Sequence, residues 1–260
     1  MSLLTSVQQC AARAGLNLFG VVDASRFDRF QPLEQRCGRR WPTCGTIVVL
    51  GTGGRGFWYL NIPNGIARAQ RARAELGAAA VSGATQQVAA RLQAHSVPCC
   101  VVPGSSDTLN FQCLGEAAGF GTVSPVSNML LHPQFGPWVR VRAALLLDGY
   151  PFGPIADASI TDRFHPCCTC AKPCVTACPS RVHDGQGSTD HTRCASARHD
   201  GGCGEGCGSR RACPIGREHS DPVDALLHAH SSSLRSVQRC FGLGLWRMVP
   251  RLLRRRSNGS

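Results

Sequence analysis

The stretch from Cys167 to Cys213 constrains this chain most. It holds nine of the sixteen cysteines, and two of the nine stand directly before a proline. Its first half reads Cys167-x2-Cys170-x3-Cys174-x3-Cys178-Pro179. That is close to the bacterial ferredoxin run C-x2-C-x2-C-x3-C-P, with one extra residue between the second and third positions. Its second half supplies Cys194, Cys203, Cys207 and Cys213-Pro214.

The spacing has a physical reason. Cys-x2-Cys lets two thiolates reach one metal centre from a single turn. A proline after the last cysteine cannot continue a helix, so it turns the chain away from the site. In two-cluster ferredoxins the cysteine before that proline ligates the other cluster. The expected ligand sets are therefore Cys167, Cys170, Cys174 and Cys213 for one [4Fe-4S] cluster, and Cys178, Cys194, Cys203 and Cys207 for the other. Cys168 is the spare, because Cys168-x-Cys170 is too short for the usual pair. Zinc is the rival metal, although a four-cysteine zinc site usually draws on two separated pairs. A disulfide framework is the structural alternative.

Composition decides the setting. The N-terminus, MSLLTSVQQCAARAG, has no basic segment followed by an apolar run, so it does not read as a signal peptide. No apolar stretch approaches the ~18 residues of a membrane span. A reducing cytoplasm is the expected compartment, and it suits cluster assembly better than disulfides. The net charge of +12 rests on arginine, since Lys172 is the only lysine. Two oxidised clusters with their thiolates would bring it to about +8. Residues 225–260 hold seven arginines and no acidic residue. Such a tail fits RNA or an acidic redox partner, and equally a solvated terminus.

Along the chain, residues 2–14 read as a helix stopped by Gly15, and Leu16–Val22 as a strand. Asp23 or Ser25 caps a short helix through Phe30. Thr46–Leu50 is a buried strand running into Gly51-Thr52-Gly53-Gly54-Arg55-Gly56. That stretch matches G-x-G-x-x-G, but Pro63-Asn64-Gly65 interrupts the helix a nicotinamide site needs, so the match is weak. Its plain reading is a glycine turn that lets backbone approach a neighbour or a ligand. Residues 66–76 and 78–95 read as two helices, Val97–Val102 as a strand, Leu109–Ala118 as a helix and Val139–Leu147 as a long strand. The expected architecture is an α/β (α+β) domain over 1–155 and a ferredoxin-like two-cluster module over 156–220, with a short helix at Ala171–Ala177. A helical, Arg-rich tail follows over 221–260.

The order of parts resembles the epoxyqueuosine reductase family and, more distantly, the reductive dehalogenases. It is most similar to a branch labelled only as ferredoxin-type iron–sulfur proteins. Gly119-Phe120-Gly121, the run Leu130–Val139 and the cysteine module through Gly216 carry the resemblance; Ala11–Leu16 and Gly20–Asp23 also fit. The resemblance implies that the first domain holds a cobalamin, that the clusters feed it electrons, and that reduced cobalt acts on the substrate. Gly51, Gly53, Gly54, Gly121 and His132 are then candidate cofactor contacts. Asp107 lies near the position of a family catalytic aspartate, about two residues closer to Gly119 than the pattern asks. The chain also departs from the family at Gly121-Thr122-Val123-Ser124, where the enzymes carry Gly-Lys-Asn-Thr.

Other residues have plain readings beside the functional ones. His132 can be a structural hydrogen-bonding residue. His165 could replace a thiolate, though nine cysteines make this unnecessary. Phe135 and Trp138 fit core packing, and Cys99, Cys100 and Cys113 fit small buried hydrophobes. Arg210 and Arg211 could raise a cluster's potential through charge. Three functions follow. The first is an electron carrier with two [4Fe-4S] clusters, served by a donor such as a flavodoxin or ferredoxin. The second is a cobalamin-dependent reductase. The third is an RNA- or partner-binding protein with structural clusters.

Overall fold

Two ten-residue strands, Cys44–Gly53 and Val139–Asp148, lie side by side at the centre of the main sheet. The computed structural model describes residues 1–61, 70–106, 108–156, 164–199, 203 and 206–220. In chain order the first part runs α1 (Leu3–Arg13), β1 (Leu18–Asp23), α2 (Ala24–Asp28), α3 (Cys37–Arg40), β2 (Cys44–Gly53), α4 (Gly56–Asn61) and α5 (Gln70–Gln93). Then come β3 (Cys99–Pro103), α6 (Phe111–Ala117), β4 (Thr122–Val123), β5 (Leu130–Leu131) and β6 (Val139–Asp148). The cysteine region contributes α7 (Pro173–Thr176), α8 (His191–His199) and α9 (Gly208–Ala212).

The main sheet has the order β1-β2-β6-β3. Its three pairings are antiparallel. The first part is therefore α+β, although its strands and helices alternate along the sequence. Alternation in β2 and β6 divides the core. Ile47, Val49, Ala144 and Leu146 face one layer, with Phe27 of α2, Leu114 of α6 and the α3 residue Cys37. Val48, Leu50, Leu145 and Leu147 face the other, with Val7 and Ala11 of α1 and Val88 and Leu92 of α5. Both faces are covered, so these strands read as continuous apolar runs despite their antiparallel pairing. Each buried Leu, Ile or Val contributes roughly 1.5–3 kcal/mol.

Caps fix the helix starts. The Ser2 hydroxyl accepts the Thr5 N–H at α1, and the Asp23 carboxylate accepts the Arg26 N–H at α2. From α2, Asp28 takes the N–H groups of Cys37 and Gly38, tying α3 beside it.

Two local expectations are corrected. Helix α5 runs unbroken from residue 70 through Gly77 to Gln93, where a break into two helices was expected. The cost of a mid-helix glycine, about 1 kcal/mol, is outweighed by packing of Ala84, Val88 and Leu92. The glycines Gly51 and Gly53 lie within β2, which pairs with β6 as far as Gly53↔Val139 after a register shift between Leu50 and Gly51. A glycine fingerprint for a dinucleotide needs a turn from a parallel strand into a helix, so this stretch lacks that context.

Candidate metal centre

The cysteine module is built from short helices whose ends carry thiols. Lys172 adopts a left-handed conformation, φ 56°, and turns the chain into α7, with Pro173 in its first turn. Cys174 lies within α7, and Cys178 follows it. Cys194 lies on α8, while Cys207 and Cys213 are the two caps of α9. Helices α7 and α9 approach closely. A Cβ on Gly208 would stand 2.4 Å from the Ala177 carbonyl oxygen. This contact brings the caps of α9 back onto the first half of the cysteine run.

The thiols then sort by electrostatic reach. Burial raises the pKa of Cys174, and Cys167 and Cys170 add to it. Burial also raises Cys213, whose neighbouring thiols are Cys174, Cys167 and Cys170. Elsewhere burial pushes Cys194 up to about 11; Arg198 opposes it, and Cys207, Cys203 and Cys178 add to it. Burial raises Cys203 as well, with Cys207 and Cys178 as its thiol neighbours. Two groups result: Cys167, Cys170, Cys174 and Cys213, and Cys178, Cys194, Cys203 and Cys207.

Among the described residues no group of three or more His, Cys, Asp or Glu closes on a point that would hold a metal ion. The fifteen cysteines among the described residues are free thiols. As donor sets the two groups suit iron–sulfur clusters. Burial and neighbouring thiols raise Cys174 and Cys213 in one group and Cys194 and Cys203 in the other, and bound cations would reverse that cost. Cys168 is exposed.

The α+β part reaches the first group directly. Ser124, after β4, lies 3.2 Å from the Cys167 Sγ through its Oγ. A Cβ on Gly187 would stand 2.9 Å from the Pro125 oxygen. The tight turn His132–Gly136, closed by reciprocal backbone hydrogen bonds of 2.9 and 2.8 Å, sits on the loop after Cys213. There a Cβ on Gly136 would come within 2.0 Å of the Ile215 oxygen, and one on Gly216 within 2.3 Å of the Phe135 carbonyl carbon.

His132 is held in this turn. Its Nδ1 accepts the N–H groups of Gln134 and Phe135 at 3.0 and 3.2 Å. Burial, helped by neighbouring His219, holds its pKa below the usual imidazole value. The His132 and Phe135 rings lie 4.7 Å apart, and Phe135 meets His219 edge-on at 4.9 Å. Trp138 is buried, and its indole N–H has no partner among the described residues.

The candidate glycines face protein. A Cβ on Gly53 or Gly54 would meet the Phe135 ring, one on Gly51 the Phe120 ring, and one on Gly121 the Leu131 oxygen. Close packing on these neighbours is why no side chain fits at these four positions. Asp107 and the tail over 221–260 lie outside the described residues. Ser124 and Arg198 are the site residues that sequence reasoning passed over. For Arg198 a signal was present, four positions after Cys194 on a helix.

No family model matches the chain, and no curated protein matches it. Solved structures do. An epoxyqueuosine reductase from Streptococcus thermophilus superimposes with a TM-score of 0.62 at 13% identity, over 95% of this chain and 78% of that one. The fold is that of the epoxyqueuosine reductases. An epoxyqueuosine reductase solved with an epoxyqueuosine-modified tRNA-Tyr stem loop matches with a TM-score of 0.58 at 16% identity, over 85% of this chain and 67% of that one. A reductive dehalogenase, described by a mechanism for B12-dependent dehalogenation, matches with a TM-score of 0.58 at 18% identity. This chain is 92% covered there but spans 36% of the dehalogenase. Among the described residues no helix is long and apolar enough to cross a membrane.

Proposed function

We propose that this chain is a redox protein that binds two [4Fe-4S] clusters and passes electrons through them. The first cluster is held by Cys167, Cys170, Cys174 and Cys213, and the second by Cys178, Cys194, Cys203 and Cys207. One observation supports the reading: Cys213, before the second proline, has Cys174, Cys167 and Cys170 of the first half as its thiol neighbours, and Cys194 has Cys178 among its own. Residues 1–155 form the scaffold, 156–220 the cluster module and 221–260 an appended tail. A one-electron donor of the flavodoxin or ferredoxin kind, in a reducing cytoplasm, completes the assignment. Anaerobic purification followed by iron and sulfide analysis tests it. About eight of each per chain are expected, from two four-iron clusters. A colourless protein loaded with zinc overturns it.

A corrinoid-dependent reductase is the second reading. The fold shared with a B12-dependent dehalogenase favours it. The Gly121-Thr122-Val123-Ser124 departure weighs against it. Asp107 would be its catalytic residue. Titration of the anaerobic protein with cobalamin decides: an altered corrinoid spectrum and retained cobalamin support an enzyme, and neither leaves an electron carrier. The fold shared with a reductase solved with a tRNA stem loop favours a third reading, RNA binding through the Arg-rich tail. Salt-sensitive RNA binding that vanishes when residues 247–260 are deleted would support it.

A further inference from the structure

The two thiol groups differ in the charge set beside them. On α8, Arg198 follows Cys194 by four residues, one helical turn later on the same face. Arg198 is half-buried, and its charge reaches Cys194, Cys203 and Cys207. All three belong to the second group. The first group has neutral donors instead. The Ser124 hydroxyl lies against Cys167, and the Lys172 backbone N–H points to the Cys170 sulfur at 3.4 Å. Lys172 and Arg217, the cations that hydrogen-bond beside it, are exposed. Lys172 Nζ donates to the Gly185 carbonyl, and Arg217 donates to the carbonyls of Cys213 and Ala212. Solvent screens such charges far more than a half-buried one. Arg210, half-buried on α9, stands three residues from both Cys207 and Cys213, so its position in the chain favours neither group.

A four-iron cluster with its thiolates gains one negative charge when the oxidised core takes up one electron. A fixed cation nearby stabilises the reduced form and raises the potential. We propose that Arg198 makes the two clusters inequivalent, so that the cluster on Cys178, Cys194, Cys203 and Cys207 has the higher potential and is reduced first. The electron comes from a one-electron carrier, which is oxidised in the step. At equilibrium an electron delivered to either cluster then rests on the second one. This inference rests on the two-cluster reading above.

Dithionite titration of the anaerobic full-length protein, followed by paramagnetic resonance, tests the proposal. The wild type is expected to reduce in two separate steps. R198Q should lower the upper step and leave the lower one in place. A tenfold loss in the reduction equilibrium corresponds to about 59 mV for one electron. R198K should keep the upper step near its wild-type position, and R217Q should move neither step. Iron and sulfide are assayed on every sample. A protein without them overturns the two-cluster reading, and this inference with it. Full iron with coincident steps in the wild type overturns this inference alone. So does an R198Q protein whose upper step stays put or whose lower step moves instead.

Discussion

The Ser124 hydroxyl oxygen lies 3.2 Å from the sulfur of Cys167, and this contact joins the α+β part to the cysteine module. The same oxygen already accepts the N–H groups of Val126 and Ser127 at 3.2 and 3.1 Å. Its own proton is therefore left to donate to the sulfur, which suits a thiolate ligand.

Ser124→Ala removes that donor and leaves two buried N–H groups unpaired. The expected cost is about 1–3 kcal/mol for each group left unsatisfied. Thermal unfolding reads this loss. In the iron-loaded protein the potential of the Cys167 cluster should also fall, while Ser124→Thr restores both. An alanine variant with unchanged melting and potential would remove the hydroxyl from the account.

Gly136 sets how closely the His132–Gly136 turn sits on the loop after Cys213. Its φ is +55°, and a Cβ would come within 2.0 Å of the Ile215 oxygen. Gly136→Ala should destabilise by roughly 1–3 kcal/mol from backbone strain. It should also cost iron, because the displaced loop carries Cys213. Gly56→Ala is the control, since nothing lies within 4 Å of a Cβ there. Equal iron content in the two variants would count against the contact.

His132 should make stability depend on pH. Burial, with His219 beside it, lowers its pKa in the folded protein. The unfolded chain then binds this proton at higher pH than the folded one. The stability contribution is present above the unfolded value of about 6.5 and is lost as pH falls through the folded value. The melting temperature should drop from pH 7 to pH 5. His132→Asn keeps an acceptor for Gln134 and Phe135 without a titrating ring, so its decline should be shallower. An equal slope in both proteins would place the dependence elsewhere.

The sequence was readable where chemistry is local. Ser2 and Asp23 announce their helices as caps, and apolar runs announce β2 and β6 because both faces of those strands are buried. Cysteine spacing announces the candidate ligands. Long-range packing was not readable. Nothing near Gly51 or Gly53 in the chain reveals that Phe120 and Phe135 will press on them, so in sequence the end of a strand reads as a turn. Gly77 looked like a helix stop because the burial of α5 against α1 is decided elsewhere in the chain. Ser124 was visible only as a departure from a family pattern; its contact with Cys167 spans 43 residues.

The last prediction concerns which cysteines work together. Burial and the thiols of Cys174, Cys167 and Cys170 raise Cys213, while Cys178 acts on Cys194 and Cys203. The cysteines before the two prolines thus each stand with the other half of the run. Under this crossed arrangement Cys213→Ala should disturb the cluster held by Cys167, Cys170 and Cys174. The signal of the Cys178, Cys194, Cys203 and Cys207 cluster should persist. Losing a ligand opens a closed site, and cluster binding is coupled to folding, so iron content should also fall. Local pairing, with Cys167 to Cys178 as one self-contained site, predicts the opposite pattern. Paramagnetic resonance of the reduced variant separates the two, with Cys174→Ala and Cys207→Ala as references. A Cys213→Ala spectrum that matches Cys207→Ala rather than Cys174→Ala would defeat the crossed arrangement. Truncation after Gly202 offers an independent check. It removes Cys203 and Cys207 from one group and Cys213 from the other, so both signals should fall together.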